Sequence, residues 1–211
     1  MPSIADIRKE YKMQTLLEKD VDADPILQFG KWWNEALRSD IDEVNGMTLA
    51  TATADGIPSA RVVLLKEYDE QGFVFFTNYK SRKGNELQEN PQACLVFFWK
   101  ELERQVRICG SVEKIPASAS DAYFSSRPQE SQIGAWASEQ SKAIADRSVI
   151  EERSVQYLQQ FAERIPRPEC WGGYLVKPKS IEFWQGRPGR LHDRILYSVG
   201  EGGWKIERLA P

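Results

Sequence analysis

Three arginines and the chain's single histidine fall within Ile181 to Arg194, which reads Ile-Glu-Phe-Trp-Gln-Gly-Arg-Pro-Gly-Arg-Leu-His-Asp-Arg. An extended backbone over 190–194 would place Arg190, His192 and Arg194 on one face, and Leu191, Asp193 and Ile195 on the other. Before the Gly-Arg-Pro-Gly turn, Glu182 and Trp184 alternate with Ile181 and Phe183, which puts a large aromatic near the same rim. A cationic comb beside a flat ring suits a flat, anionic ligand. The competing reading is a surface hairpin with solvated arginines, and for any single arginine that is the commoner case. Other segments must decide.

Ser81-Arg82-Lys83 places a hydroxyl where a helix N-cap would stand and two cations in the first turn. Cations there oppose the helix dipole at about 0.3–1 kcal/mol each. A bound anion reverses that sign, because backbone N–H groups, Ser81 and both cations could face one phosphate. An exposed turn with flexible side chains weighs about equally. Arg61-Val-Val-Leu-Leu-Lys66 carries a cation at each end of an apolar strand, and strict alternation sends the two to opposite faces. Two ligand sites would explain that, while charged strand ends guarding an edge are the plainer account. Tyr123-Phe-Ser-Ser-Arg127-Pro-Gln-Glu-Ser131 gathers a phenol, a guanidinium and hydroxyls around a helix end, all good donors to phosphate. Gln105 and Gln140-Ser141 could give amide and hydroxyl contacts to a heterocycle. The candidate cations are Arg61, Lys66, Arg82, Lys83, Arg127, Arg190 and Arg194. One phosphomonoester, at about −1.5 to −2, cannot balance that set. Two can, which suggests a phosphorylated cofactor and a phosphorylated substrate.

The elements that must position these groups follow from the spacing of apolar residues. Residues 3–20 show a loose helical spacing and run into the acidic segment around Asp20, so 1–22 read as a mobile arm. Asp24-Pro25 starts a helix with Ile26, Phe29, Trp33 and Leu37 on one face and Trp32 and Trp33 in a core or interface. From Met47 the period changes to two. Strands are expected at 47–53, 60–66 and 73–77 as an antiparallel meander, then a helix over 82–89 ending before Asn90-Pro91. Strands follow at 93–99 and 105–115, and helices at 117–126 and 148–163, the latter burying Val149, Val155 or Leu158, and Phe161. Strands return at 173–176, 180–184, 191–198 and 204–209. The fold class is mainly β with flanking helices (α+β), an antiparallel, closed or partly closed barrel, with 23–211 as one domain.

Composition bounds the rest. Of 211 residues, 41% are hydrophobic and 28% charged, which is ordinary for a globular chain with its own core. The longest apolar run, Ala93 to Trp99, is far short of the about 20 residues of a spanning helix. The N-terminus lacks a secretion signature, and a cytoplasmic location is expected. Three dispersed cysteines, 94, 109 and 170, read as buried reduced thiols. One histidine and no Cys-x-x-Cys make a zinc site of the usual ligands an unsuitable reading, so no metal is expected. A net charge of −3 argues against nucleic acid as principal partner. Gly-x-Gly-x-x-Gly, Walker-type and Gly-x-Ser-x-Gly motifs are missing, so side chains must hold any phosphate.

Together these residues resemble the pyridoxamine/pyridoxine 5′-phosphate oxidase family, of the FMN-binding split-barrel fold. The most specific match is Glu182-Phe-Trp-Gln-x4-Arg190-Leu-His-Asp-Arg194. Arg61 to Lys66, Thr77-Asn-x-x-Ser-Arg-Lys83, Leu102 to Val106, Ser126 to Trp136, Trp171-Gly-Gly and Arg208 to Pro211 match in the same order, from about Ile7 onward. The resemblance implies an antiparallel split barrel, a homodimer with FMN at the interface, and oxidation of pyridoxamine or pyridoxine 5′-phosphate to pyridoxal 5′-phosphate, with oxygen as acceptor and hydrogen peroxide as product. By position it gives Arg61, Phe76, Thr77, Arg82, Lys83, Gln105, Gln140, Ser141, Trp184 and Arg194 to FMN. Lys66, Tyr123, Arg127 and Ser131 go to the substrate phosphate, Arg190 and His192 to the substrate ring as catalytic residues, and Arg8 and Tyr11 to a covering arm. Phe76 departs from the tyrosine common at its position, which removes a phenol contact there. A flavin reductase of the same fold, and a non-catalytic FMN or pyridoxal-phosphate binding module, are the alternatives; the first would not need Lys66, Tyr123, Arg127 and Arg190 together.

Overall fold

Asp24 starts the first long element. In the computed structural model, which describes residues 3, 4, 10–161 and 163–211, its carboxylate accepts from the backbone N–H groups of Ile26 (2.7 Å) and Leu27 (3.3 Å), and Pro25 occupies the first turn. That leaves helix α1 (Pro25–Leu37) capped where the sequence places its start. Its buried stripe is Phe29, Trp32 and Ala36, rotated from the expected one: Trp32 is 3% exposed, whereas Leu37 is 57% exposed. The partners explain the rotation. Trp32 meets Phe183 edge-on at 5.2 Å and has the Arg104 guanidinium 4.3 Å over its ring, while Phe29 packs on Phe97 at 5.4 Å.

Nine strands and five helices are present among the described residues. The strands are β1 (Gly46–Ala52), β2 (Pro58–Leu64), β3 (Glu67–Asp69), β4 (Gly72–Asn78), β5 (Gln92–Trp99), β6 (Arg104–Lys114), β7 (Trp171–Gln185), β8 (Asp193–Gly200) and β9 (Gly203–Arg208). They form one sheet in the order β2-β1-β5-β6-β7-β4-β3, with β8 paired to β7 and β9 to β8. The β3–β4, β4–β7, β7–β8 and β8–β9 ladders are antiparallel. The mainly β, antiparallel class expected from the sequence is what the chain adopts. Two predicted strands are one: β7 pairs with β4 through 171–176 and with β8 through 180–185, so neither ladder asks Pro178 for the N–H it lacks.

Packing divides the chain into two compact units. The first takes the described residues of Met1–Leu49, Cys94–Gly110 and Pro178–Pro211. Its core lies between α1 and the inward faces of its strands, with Leu95, Phe97, Val106, Ile108, Phe183, Ile195 and Tyr197 buried. The second takes Ala50–Ala93 and Ser111–Lys177. It holds α2 (Arg82–Glu89), α3 (Ala117–Ser126), α4 (Gln129–Ala137) and α5 (Ser148–Gln160), with Phe124, Ile133, Ile165 and Trp171 as a cluster. Sequence spacing gave no helix at 129–137, where α4 stands, because its apolar residues crowd its last turn. Of the face expected to be buried on α5, only its end, Phe161, is packed as expected against the cluster. Val155 and Leu158 are largely exposed, and Tyr157 and Phe161 make the contact, both against Trp136. No helix among the described residues is long and apolar enough to cross a membrane.

α2 is set by a close approach. Ser81 caps it by accepting from Gly84 N, and a Cβ at Gly84 would lie 2.2 Å from the Tyr79 carbonyl oxygen. Backbone meets backbone there, so no side chain can give way. Gly84→Ala is expected to cost about 1–3 kcal/mol and to lower the thermal midpoint by several degrees in circular dichroism. An unchanged midpoint would mean that the placement of α2 does not depend on this approach.

Candidate active site

In the second unit a cavity of about 610 Å³ opens between β2, β4 and the α3–α4 segment. Eight of the residues singled out from the sequence line it: Lys66, Phe76, Thr77, Lys83, Tyr123, Arg127, Ser131 and Gln140. Three are cations. No Asp or Glu is among the described residues that line it. The volume lies in the usual range for a small-molecule site.

Lys83 is the most deeply placed of the three, 9% exposed. Its Nζ donates to Gln140 Oε1 at 2.8 Å and to Thr77 Oγ1 at 3.1 Å, both neutral. Burial, with the nearby Arg61 charge adding to it, pushes its pKa down to about 8. Arg127 is half-buried, with its guanidinium 4.5 Å over the Trp171 ring, and burial lowers its pKa. Its Nη1 is buried without a hydrogen-bond partner among the described residues. An unpaired buried donor of this kind costs about 1–3 kcal/mol, more when charged, and an anion in the cavity removes that cost. One wall is aromatic: Phe76 stacks on Tyr123 at 4.0 Å and on Trp171 at 5.4 Å. Trp171 and Asn78 also line the cavity; the Trp171-Gly-Gly motif was the signal that could have marked the former.

The first turn of α2 does not converge on one ligand. Ser81 is fully buried and its hydroxyl is used within the cap, donating to Asn78 O at 2.6 Å. Arg82 turns to Glu86, Nε to Oε1 2.9 Å, and lines a separate opening of about 430 Å³ with Gln140 and Ser141. Arg61 does not line the larger cavity; its guanidinium donates to Thr51 and Ser59 and pairs with Glu86 at 3.3 Å. Burial alone would raise the Glu86 carboxyl, but bonds from Ser59, Thr51, Arg82 and Arg61 hold it at about 2. Sequence reading passed over Glu86, because three of its four partners, Thr51, Ser59 and Arg61, lie on distant strands. Lys66 lies beyond the end of β2 rather than in it, so alternation along the strand does not govern its direction.

The first unit holds the other cluster, and the comb is broken. β8 begins only at Asp193, Pro188–Arg190 form a 3-10 turn, and Arg190 has φ 62° and is exposed. The extended register assumed for 190–194 therefore fails, as the Pro-Gly pair closes a turn instead. Arg194 donates from Nε to Glu182 Oε1 at 2.8 Å, which raises its pKa, and Glu182 also accepts from Arg107. His192 packs on Trp184 with ring centroids 4.5 Å apart, and its Nδ1 accepts from Arg187 N at 3.1 Å. The imidazole proton therefore sits on Nε2. Burial, with the Arg190 charge, lowers its pKa and favours that neutral form. Gln105 lies half-buried on β6.

Tyr11 stands edge-on to Trp184 at 5.8 Å and 5.9 Å from His192. The segment bearing it is tied down by acceptors the sequence gave no reason to choose. The Glu103 carboxylate accepts from Lys12 N (2.8 Å) and Met13 N (3.1 Å), and Asp193 accepts from Leu16 N (3.1 Å). Gly186 leaves the space: a Cβ there would lie 2.7 Å from Tyr11 Cγ. Arg8 lies outside the described residues.

Residues 33–161 match the family described as pyridoxamine 5′-phosphate oxidase, and 171–211 match the pyridoxine 5′-phosphate oxidase C-terminal dimerisation region. This chain belongs to the pyridoxamine 5′-phosphate oxidase family. Relatives named pyridoxine/pyridoxamine 5′-phosphate oxidase from Nostoc sp. and Paraburkholderia phymatum are each 57% identical to it, covering 99% and 100% of both chains respectively. Among solved structures, PhzG from Burkholderia lata, crystallised with tetrahydrophenazine-1-carboxylic acid, is 31% identical with a TM-score of 0.89, covering 95% of this chain and all of PhzG. A pyridoxamine 5′-phosphate oxidase-related, FMN binding protein from Nostoc punctiforme shares the fold at 17% identity, with a TM-score of 0.70 over 90% of this chain and all of that one. The split-barrel class expected from the sequence is the fold of this oxidase family member.

The state of Lys83 is measurable in this family member without any ligand. Its folded-state pKa is depressed from 10.5 to about 8, so between those values the unfolded chain holds a proton that the folded chain does not. Stability contributed by this group therefore rises with pH across that window. Denaturant unfolding should show the wild type gaining on Lys83→Met from about pH 8 upward. A constant difference between the two would rule out a depressed lysine.

Proposed function

We propose that this chain is an FMN-dependent oxidase that converts pyridoxamine 5′-phosphate and pyridoxine 5′-phosphate to pyridoxal 5′-phosphate, as a homodimer with FMN at the interface. The observation that carries the reading is the cationic cavity, which among the described residues has no carboxylate in its lining and no partner for Arg127 Nη1. That donor set fits phosphate monoesters, and membership of the oxidase family supports the choice of ester.

Lys83, Thr77 and Gln140 are read as binding the flavin phosphate side, with Arg61, Phe76, Arg82, Gln105, Ser141, Trp184 and Arg194 as further flavin residues. Lys66, Tyr123, Arg127 and Ser131 are read as the substrate phosphate site. Both sets reach the same cavity through Lys83 and Arg127, which suits two ligands that must lie against each other. When bound, FMN supplies acceptance of a hydride equivalent from the substrate C4′ carbon, with molecular oxygen as final acceptor and hydrogen peroxide as product. The chain's own task is to orient and to exclude water. Arg190 is read as fixing the substrate ring and His192 as donating a hydrogen bond from Nε2, the tautomer set by Arg187 N. Tyr11, and Arg8 before it, would cover the ring. A non-phosphorylated aromatic carboxylate, the class seen with PhzG, is the second reading; three cations in one cavity favour the phosphate.

Pyridoxamine 5′-phosphate, FMN and the protein in air should yield pyridoxal 5′-phosphate with one peroxide per aldehyde. Failure to form the aldehyde with a flavin-loaded protein would overturn the reading. Arg127→Ala should raise KM for the phosphorylated substrate about 10–100-fold, as expected for loss of a charge-assisted bond of about 1.5–3 kcal/mol, with FMN retained.

A further inference from the structure

Cys94 and Cys109 stand on neighbouring strands, β5 and β6, of the first unit. Burial alternates along both strands. Ala93, Leu95, Phe97 and Trp99 point inward on β5, and Val106 and Ile108 on β6, so both cysteines fall on the opposite, half-exposed face. Their sulfurs are 2.9 Å apart, yet both are free thiols. Neighbouring strands lie about 4.7–4.9 Å apart, inside the Cα range of about 4.4–6.8 Å that a disulfide spans, and the two sulfurs already touch across that gap. No step proposed for the oxidase reaction uses either thiol.

We propose that Cys94 and Cys109 are a dithiol modification site that a peroxide closes to a cross-strand disulfide. The shared hydrogen bond favours ionisation of one member: it draws Cys109 below the ordinary thiol range, with Arg107 helping, and pushes Cys94 up. A thiolate is the nucleophile in such oxidations, and a resolving thiol in contact is what diverts it from over-oxidation. The Cys109 thiolate attacks one peroxide oxygen; an S–O bond forms, the O–O bond breaks, and hydroxide leaves and takes up a proton as water. The Cys94 sulfur, giving up its proton, then attacks the Cys109 sulfur; the S–S bond forms, the S–O bond breaks, and a second water leaves. Two thiols lose two electrons while one peroxide becomes two waters. The proposed oxidase reaction would release this oxidant at home, but the site does not depend on that reading, since added peroxide tests it.

The full-length protein, reduced and freed of reductant, is treated with hydrogen peroxide, alkylated and digested with trypsin. Cleavage after Lys83, Lys100, Arg107 and Lys114 puts the two cysteines on separate peptides, 84–100 and 108–114. The expected result is a fall from three free thiols to one, with those two peptides linked within one chain and released by dithiothreitol. In Cys94→Ser the same treatment should leave Cys109 as a sulfenic acid trapped by dimedone, with no linked peptide. Three persistent thiols under conditions that oxidise free cysteine, Cys109 sulfinic acid in the wild type, or a link through Cys170 would each overturn the proposal.

Discussion

A lysine ammonium taken out of water and given neutral hydrogen-bond partners is the constraint on which the site depends. Lys83 lies at the cavity wall with Gln140 and Thr77 as acceptors, and no carboxylate to balance it is among the described residues of the cavity lining. Buried charge is costly unless paired. The chain tolerates that imbalance where Lys66 and Arg127 add to it, and Arg127 keeps a buried donor without a partner among the described residues. A region so arranged is stable in itself only at a cost that a bound anion lowers, which is the physical basis for reading it as a binding site.

Other charges nearby are neutralised, and the contrast matters. Glu86, almost fully buried, takes bonds from Arg61, Arg82, Thr51 and Ser59. In this way α2 sends one of its first-turn cations to a carboxylate and the next into the cavity. In the first unit, Glu182 does the same for Arg194 and Arg107, while Glu103 and Asp193 hold the backbone of the segment that brings Tyr11 to Trp184 and His192. Buried carboxylates therefore act as positioning groups in both units.

The local signals were legible. Asp24-Pro25 and Ser81 mark helix starts because a cap is satisfied within three residues, and α2 ends at Glu89 just before Asn90-Pro91. The strands β5 and β6 were legible but not their faces: Cys94 and Cys109, read as buried, fall on the half-exposed side of the alternation. Six cavity residues, Lys66, Lys83, Tyr123, Arg127, Ser131 and Gln140, were named from residue type and spacing, and Phe76 and Thr77 only through the family resemblance. Signals that depend on distant partners were not legible. The face that α1 buries is chosen by Phe183 and Arg104, the direction of Arg82 by Glu86, and the failure of the 190–194 comb by a turn whose Arg190 has positive φ. Adjacent strands brought Cys94 and Cys109 together, which spacing along the chain does not express.

The central claim is that excess positive charge in the second unit's cavity selects a phosphate ester. Calorimetric titration of the flavin-loaded protein without oxygen, comparing pyridoxamine 5′-phosphate with pyridoxamine, tests it directly. The account predicts that the ester binds at least about 100-fold more tightly, equivalent to about 2.7 kcal/mol, with the advantage shrinking as salt is added. Equal affinity for the two compounds would contradict it.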